Sequence, residues 1–293
     1  MTKQFRSVAV TVTPFLKENK PDLEEIALQT LKLGNSAIDA VFPCASTGEY
    51  VRMSAEDKCN ILKTVAVSNK GIKALVAGAC AASVEEAKVY IETAKQYGYD
   101  ACVVCPPYYF PQSQPDIIKF YKKILVMAEK MPVIAYHVPF FTSGIELDTF
   151  RELLELPGIA GIKDSSANMK RIAHCCDIAA TLRPEFGVYT GTDDCLLSAL
   201  CAGCRGSMTA LAATRPTEIS AIYQAFDTGN LRDAMKIQRS LLKIIREADS
   251  LAFPIGYKLL AKATGLKIEK ITGERERAVY NRIVRLVKEG GIS

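Results

Sequence analysis

No stretch of this chain is apolar for long enough to cross a membrane, and neither GxGxxG nor GxxxxGK occurs anywhere in it. The first absence removes membrane-spanning functions. The second removes the commonest signatures of a sheet that cradles nucleotide phosphates. Residues 1–13 lack both the apolar core and the cleavage site of a secretory leader, so a cytoplasmic location is expected. No linker, low-complexity stretch or repeat divides the chain. The 10 cysteines do not spell out a metal site. Cys201 and Cys204 have CxxC spacing and Cys175 adjoins Cys176, but no second pair stands at zinc-finger distance, so no metal is expected. The CxxC itself is left without a role. Charge of one sign is also scarce: the net value is only +5. The densest basic segment (Arg275, Arg277, Arg282, Arg285, Lys288) is interleaved with Glu274, Glu276 and Glu289. Val279, Ile283 and Leu286 follow helical spacing through it, which reads as a solvated helix face and not as a nucleic-acid surface.

What the chain does have is alternation. Apolar runs at 8–13, 39–43, 74–77, 101–104, 132–136, 157–163, 187–189 and 206–208 read as strands. Helical patterns separate them. One covers 22–33, with Leu23, Ile26, Ala27 and Leu31 on a face and Gly34 closing it. Ser54 and Ser83 open two more, each followed three residues later by an acidic side chain. Others cover 115–130, 148–156 and 169–181. From Thr217 onward the chain is helical, interrupted by Pro254, Gly256 and Gly265. About eight strands in single file with helices fit an α/β fold of the (β/α)8 TIM barrel type, of typical size about 250 residues, with additional C-terminal helices. Residues 1–215 would hold the strands and most barrel helices. Residues 216–293 would hold the last barrel helix and a helical extension, within one structural unit. A doubly wound sheet is the alternative.

A barrel places its chemistry at the C-terminal ends of its strands. Thr13, Ser46, Thr47, Tyr108, Tyr109, Tyr136, Lys163, Asp193 and Asp194 all fall there. Lys163 ends the run Ile159-Ala160-Gly161-Ile162. Desolvation at such a place disfavours an ammonium and frees a nucleophilic amine, which can form a Schiff base with a ketone. For a 2-keto acid, the Ser46 and Thr47 hydroxyls and the backbone around Gly48 would hold the carboxylate. Tyr136 would move protons as carbinolamine, imine and enamine interconvert. His137, next along the strand, points to the opposite face and reads as structural.

Four motifs in order carry a resemblance: Ala45-Ser46-Thr47-Gly48-Glu49, Pro107-Tyr108-Tyr109, Tyr136-His137-Val138-Pro139 and Gly161-Ile162-Lys163-Asp164. From Thr13-Pro14-Phe15 to the C-terminal helices, the chain resembles the dihydrodipicolinate synthase / N-acetylneuraminate lyase family of Schiff-base aldolases. The resemblance implies Lys163 as the imine-forming residue for pyruvate, with no other cofactor, and an aldehyde as second substrate. It implies Tyr136 as the proton-transfer residue, with Ser46 and Thr47 at the carboxylate and in a hydroxyl relay. It further implies a homotetramer in which Tyr109 enters a partner's site, and Met208 against the pyruvate moiety.

Two departures bear on the second substrate. Synthases that condense pyruvate with aspartate semialdehyde carry an arginine shortly after the Tyr-x-Val-Pro motif, where this chain reads Phe140-Phe141-Thr142-Ser143-Gly144. A phenylalanine cannot replace a bidentate guanidinium. Sialic acid lyases carry Gly-x-Asp-Glu and a later serine. Gly191-Thr192-Asp193-Asp194 keeps the acidic pair, but the serine position reads Ala210. Lys163-Asp164-Ser165 resembles aldolases and dehydratases of 2-keto-3-deoxy sugar acids. The expected function is therefore a lyase or aldolase that cleaves or forms a 4-hydroxy-2-keto acid. Phe141, Ser165, Gly191, Asp193 and Asp194 are expected around the substrates. The alternatives are the aspartate semialdehyde condensation, a dehydratase, or a non-catalytic keto-acid-binding protein.

Overall fold

The strands form because their residues are apolar on both faces, which suits a parallel sheet covered on each side. Every strand residue except Ala160 is buried. The structure is a computed structural model that describes residues 5–16, 19–269 and 271–289. The first residues of the N-terminal segment and the end of the expected C-terminal extension lie outside the described residues. In chain order the first half comprises β1 (Ser7–Val10), α1 (Leu23–Gly34), β2 (Ala40–Phe42), α2 (Ala55–Asn69), β3 (Ala74–Gly78), α3 (Val84–Gln96), β4 (Ala101–Val104) and α4 (Gln114–Ala128). The second half of the barrel comprises β5 (Val133–His137), α5 (Leu147–Leu154), β6 (Ile159–Asp164), α6 (Met169–Leu182), β7 (Gly187–Thr190), α7 (Leu196–Cys201) and β8 (Gly206–Thr209). Then follow α8 (Leu211–Thr214), α9 (Pro216–Asp227), α10 (Leu231–Asp249), α11 (Ile255–Ala263) and α12 (Glu274–Glu289).

The eight strands are parallel and close on themselves in sequence order, β1 pairing with both β2 and β8. This is the (β/α)8 barrel the alternation predicts, with C-terminal helices added. None of the described helices is long and apolar enough to cross a membrane. Phe5 and Tyr189 stack at 6.1 Å and floor the barrel. Ser54 and Ser83 accept the N–H groups of Asp57 and Glu86, so both expected caps form.

The register of β5 on β6 sets Tyr136 opposite Lys163, and His137 opposite Asp164. Successive strand residues face opposite ways, so the first pair points into the barrel and the second toward the helices. His137 accepts the Ile145 N–H at Nδ1, 2.9 Å away, and burial depresses its pKa to about 4, which keeps it neutral. Asp164 is fully buried. It accepts from the Ser166 N–H (2.9 Å), the Ser166 hydroxyl (2.6 Å) and Arg171 Nε (2.9 Å). Lys163 is therefore not the last strand residue: the ladder continues to Asp164, whose contacts then turn the chain into α6.

Other local expectations shift. β1 stops at Val10, three residues before the expected end at Thr13, because its ladder with β2 ends at Phe42. The buried face of α1 runs through Ile26, Thr30 and Leu33, while Leu23 and Leu31 lie exposed. Packing against α2 selected a face rotated from the one that leucine content suggests. Gly34 is the last residue of α1, and Asn35 provides the cap. Gly256 does not interrupt the C-terminal helices. It lies inside α11, where a Cβ would overlap the Ala248 carbonyl of α10, so the glycine lets two helices cross in contact. Cys204 does not pair with Cys201, which is exposed. Its Sγ lies 3.7 Å from that of Cys176.

Replacing Asp164 by alanine strands the Arg171 guanidinium in a half-buried position. Breaking such a pair should cost about 3 kcal/mol and lower the apparent melting temperature by roughly 6–12 °C in a thermal scan.

Candidate active site

At the C-terminal ends of the strands a cavity of about 550 Å³ opens among residues from five of the eight strand ends. Lys163 enters it from β6. The side chain is 3% exposed, and among the described residues its amine meets no carboxylate. It lies 4.4 Å from the Tyr136 ring centroid and 5.0 Å from that of Phe42. Both distances are within the range at which a ring face attracts an ammonium group. Tyr136 reaches the same height on β5. Its hydroxyl accepts from Ser165 Oγ at 3.4 Å, and its backbone N–H donates to the Tyr121 hydroxyl at 3.3 Å. Tyr121 in turn donates to the Val104 carbonyl at 2.8 Å, so α4 clamps β4 and β5 together.

Ser46 and Thr47 belong to a 3-10 turn after β2, Ser46–Gly48. Thr13 Oγ1 donates to the Gly48 carbonyl at 2.7 Å and steadies the turn from β1's side. Glu49 leaves it in the left-handed region at φ 58° and is buried. Two cations hold that carboxylate: Arg52 at 2.5 Å and Lys258 of α11 at 2.8 Å. Lys258 also reaches Glu269 at 3.0 Å. Gly191, after β7, must be glycine. A Cβ there would overlap Ser165 Oγ and come within 3.0 Å of Lys163 Cε.

Farther out, Asp193 is fully buried, and its Oδ1 accepts the Leu211 N–H at 3.0 Å. Burial raises its pKa from 3.8 to about 7, against the hydrogen bonds that favour the carboxylate. Asp194 pairs with Arg246 at 3.1 Å. Phe141 and Phe253 approach at 6.1 Å between ring centroids, Phe253 and Tyr257 at 5.9 Å. The Tyr257 hydroxyl donates to Asp249 at 2.9 Å.

Of the residues singled out in the sequence, Ser46, Thr47, Tyr136, Phe141, Lys163, Ser165, Gly191, Asp193, Asp194 and Met208 line this one cavity. Gly48 lies behind it and shapes the turn. Tyr109 does not reach it. With φ at 83° it is 88% exposed and packs edge-on against Phe110. The Tyr136 hydroxyl has Ser165 as its partner, and Thr47 makes no hydrogen bond to it. Asp249, Phe253 and Tyr257 went unnoticed in the sequence. They come from α10, α11 and the loop between them, forty residues or more past β8, and only the helix break at Pro254 marks the place. A larger cavity of about 650 Å³ opens at the opposite end of the barrel, but the two arginines that line it, Arg183 and Arg205, are engaged by backbone carbonyls and, for Arg183 Nε, by the Glu185 carboxylate.

This arrangement can bind a carboxylate beside a carbonyl, attack the carbonyl with an amine and shuttle a proton at a phenol. Known proteins share the frame. The structure of a sialic acid aldolase from Ruminococcus gnavus, a catalytic lysine mutant, superposes with a TM-score of 0.90 at 18% identity, covering 98% of this chain and 96% of that one. YagE, a prophage protein of the dihydrodipicolinic acid synthase family from E. coli K12 solved with pyruvate, superposes at 0.91 with 20% identity, covering 99% of each chain. In sequence, the 4-hydroxy-tetrahydrodipicolinate synthase of Caldicellulosiruptor bescii is 30% identical over 261 residues, 88% of this chain and 86% of its own length. The model of the Dihydrodipicolinate synthetase family matches residues 3–275. With nearly its whole length so matched, the chain belongs to the dihydrodipicolinate synthetase family, a family of lyases and aldolases.

Proposed function

We propose that this enzyme makes or breaks a 4-hydroxy-2-keto acid through an imine between Lys163 and pyruvate. One observation carries the reading: a buried lysine amine without a carboxylate partner stands beside a tyrosine at the mouth of a barrel. The pyruvate bound by YagE and the catalytic lysine of the sialic acid aldolase support it by likeness of fold.

In the synthetic direction the Lys163 amine adds to the pyruvate ketone, and one water leaves as the imine forms. Tyr136 takes and returns the protons of these steps, its hydroxyl oriented by Ser165. The Ser46–Gly48 turn holds the carboxylate, which fixes the keto carbon against the amine. Loss of a proton from C3 gives the enamine. Its C3 bonds to the aldehyde carbon, and the aldehyde oxygen gains a proton. Water then hydrolyses the imine and releases the lysine. The water lost is the water regained, so pyruvate plus aldehyde equals product. Cleavage is the same sequence reversed.

A second reading, condensation with aspartate semialdehyde, draws on the name of the relative from Caldicellulosiruptor bescii. Phe140 and Phe141 weigh against it, because they leave the acceptor's carboxylate without a guanidinium. We also read the enzyme as a homotetramer. The exposure of Tyr109 and Phe110 supports this, since large aromatic surface is costly to leave in water.

Incubation with pyruvate and borohydride should add the reduced pyruvyl group to Lys163, seen as a mass increment on its peptide. Folded protein without that adduct would refute the reading, and Lys163→Ala should abolish both adduct and turnover. Tyr136→Phe should keep the adduct while lowering kcat by roughly 10²–10⁴-fold, the usual worth of a positioned proton carrier.

Asp193 gives a pH signature. Its folded pKa is raised, so the folded state holds the proton more tightly than the unfolded chain. The carboxyl adds no penalty below about pH 4 and a growing one as pH climbs through about 7. Between those limits wild type should lose roughly 4 kcal/mol of stability relative to Asp193→Asn, read as diverging melting temperatures.

A further inference from the structure

We infer that the second substrate is an uncharged aldehyde bearing a flat apolar ring, seated against Phe141 and Phe253. This inference rests on the Schiff-base reading above and specifies its acceptor. The cavity has two unlike ends. Ser46, Thr47, Tyr136 and Lys163 make the keto-acid end, rich in hydroxyls and closely tied. The other end is walled by Phe140, Phe141, Phe253 and Tyr257, contributed by the loop after β5 and by α11 with the loop before it.

Phe140, Phe141 and Phe253 are 72%, 54% and 48% exposed, although the rest of the chain buries its aromatic side chains with few exceptions. Phe141 and Phe253 tilt at 34° to one another, an open wall and not a closed stack. A flat ring laid against it would cover apolar surface that is otherwise in water, in the offset geometry aromatic pairs prefer.

Charge excludes the competing class. Asp193, Asp194 and Asp249 all line the acceptor end. The guanidinium near them, Arg246, is 3.1 Å from Asp194 and 4.0 Å from Asp249, so it is already shared between two carboxylates. Lys163 is the one cation lining the cavity among the described residues, and the imine consumes its amine. An aldehyde carrying its own carboxylate would meet acidic side chains at this end and no guanidinium among the residues that line the cavity. The same carboxylates and the Tyr257 hydroxyl can take a hydrogen bond from a substituent on the ring. The carbon–carbon bond forms as above: enamine C3 joins the aldehyde carbon, and the aldehyde oxygen is protonated.

The test uses the full chain with pyruvate and, in parallel, benzaldehyde, glyceraldehyde and aspartate semialdehyde. Pyruvate loss and product are followed by NMR. Exchange of the pyruvate methyl protons in D2O is recorded separately, because it reports imine and enamine formation without any aldehyde. Benzaldehyde should be converted to 4-hydroxy-4-phenyl-2-oxobutanoate with kcat/KM about tenfold or more above either competitor, the discrimination an apolar pocket achieves. Phe253→Ala should raise KM for benzaldehyde by about tenfold with a smaller change in kcat. Methyl exchange with benzaldehyde unused, or with glyceraldehyde or aspartate semialdehyde used as well or better, overturns the acceptor assignment alone. Absence of methyl exchange overturns the Schiff-base reading and this inference with it.

Discussion

The pairing register of β5 on β6 is the constraint on which the site depends. A side-chain period of two means that a slip by one residue would exchange every inward group for its outward neighbour. Lys163 and Tyr136 would then leave the cavity, and Asp164 and His137 would enter it. The outward pair is what prevents this. Asp164 is held by Ser166 and Arg171, and His137 by the Ile145 N–H, so each inward residue has an anchored neighbour on the far side of its strand. Tyr121 adds a third lock by bonding both the Val104 carbonyl and the Tyr136 N–H. The Asp164 carboxylate, His137 Nδ1 and the Tyr121 hydroxyl are all satisfied by these bonds, and their satisfaction favours one alignment.

The two ends of the cavity are built on different principles. The end with Lys163 and Tyr136 stands on strands and on a 3-10 turn braced by Thr13 and by the buried Glu49 carboxylate with its two cations. The end with Phe141 and Phe253 stands on loops and on helices that follow the barrel, with neighbouring aromatic rings and ion pairs partly open to water. Such a division would suit the proposed chemistry, with rigid elements placing the imine-forming lysine and more replaceable surfaces facing the second substrate.

Much of this was legible in the sequence, and the failures have physical causes. Lys163, Tyr136 and the Ser46-Thr47 pair could be found because an abrupt polar residue after a short apolar run marks a strand end, and a barrel gathers strand ends. The α1 face was misjudged because leucine content alone cannot tell which side meets α2, and Thr30 is buried where Leu31 is not. Gly256 was read as a breaker because a glycine that ends a helix and one that admits a neighbouring helix look the same in one dimension. The CxxC spacing was left without a role, and the neighbour of Cys204 is Cys176 on α6, a contact made only by folding. Asp249, Phe253 and Tyr257 carried no local pattern, since their role comes from where α10 and α11 pack on the barrel top.

Tyr257 and Lys258 are neighbours on α11, and they serve opposite ends of the cavity. Tyr257 forms part of the acceptor wall, while Lys258 reaches the Glu49 carboxylate behind the turn that would hold the keto acid. The helix is thus riveted to the strand-borne half of the cavity by one residue and exposed to the loop-borne half by the next. Insertions or deletions between α10 and α11 would shift the rivet and disturb both halves together. Under the proposed chemistry, the choice of second substrate could therefore be altered by exchanging side chains such as Phe253, but hardly by changing the length of the segment that carries them.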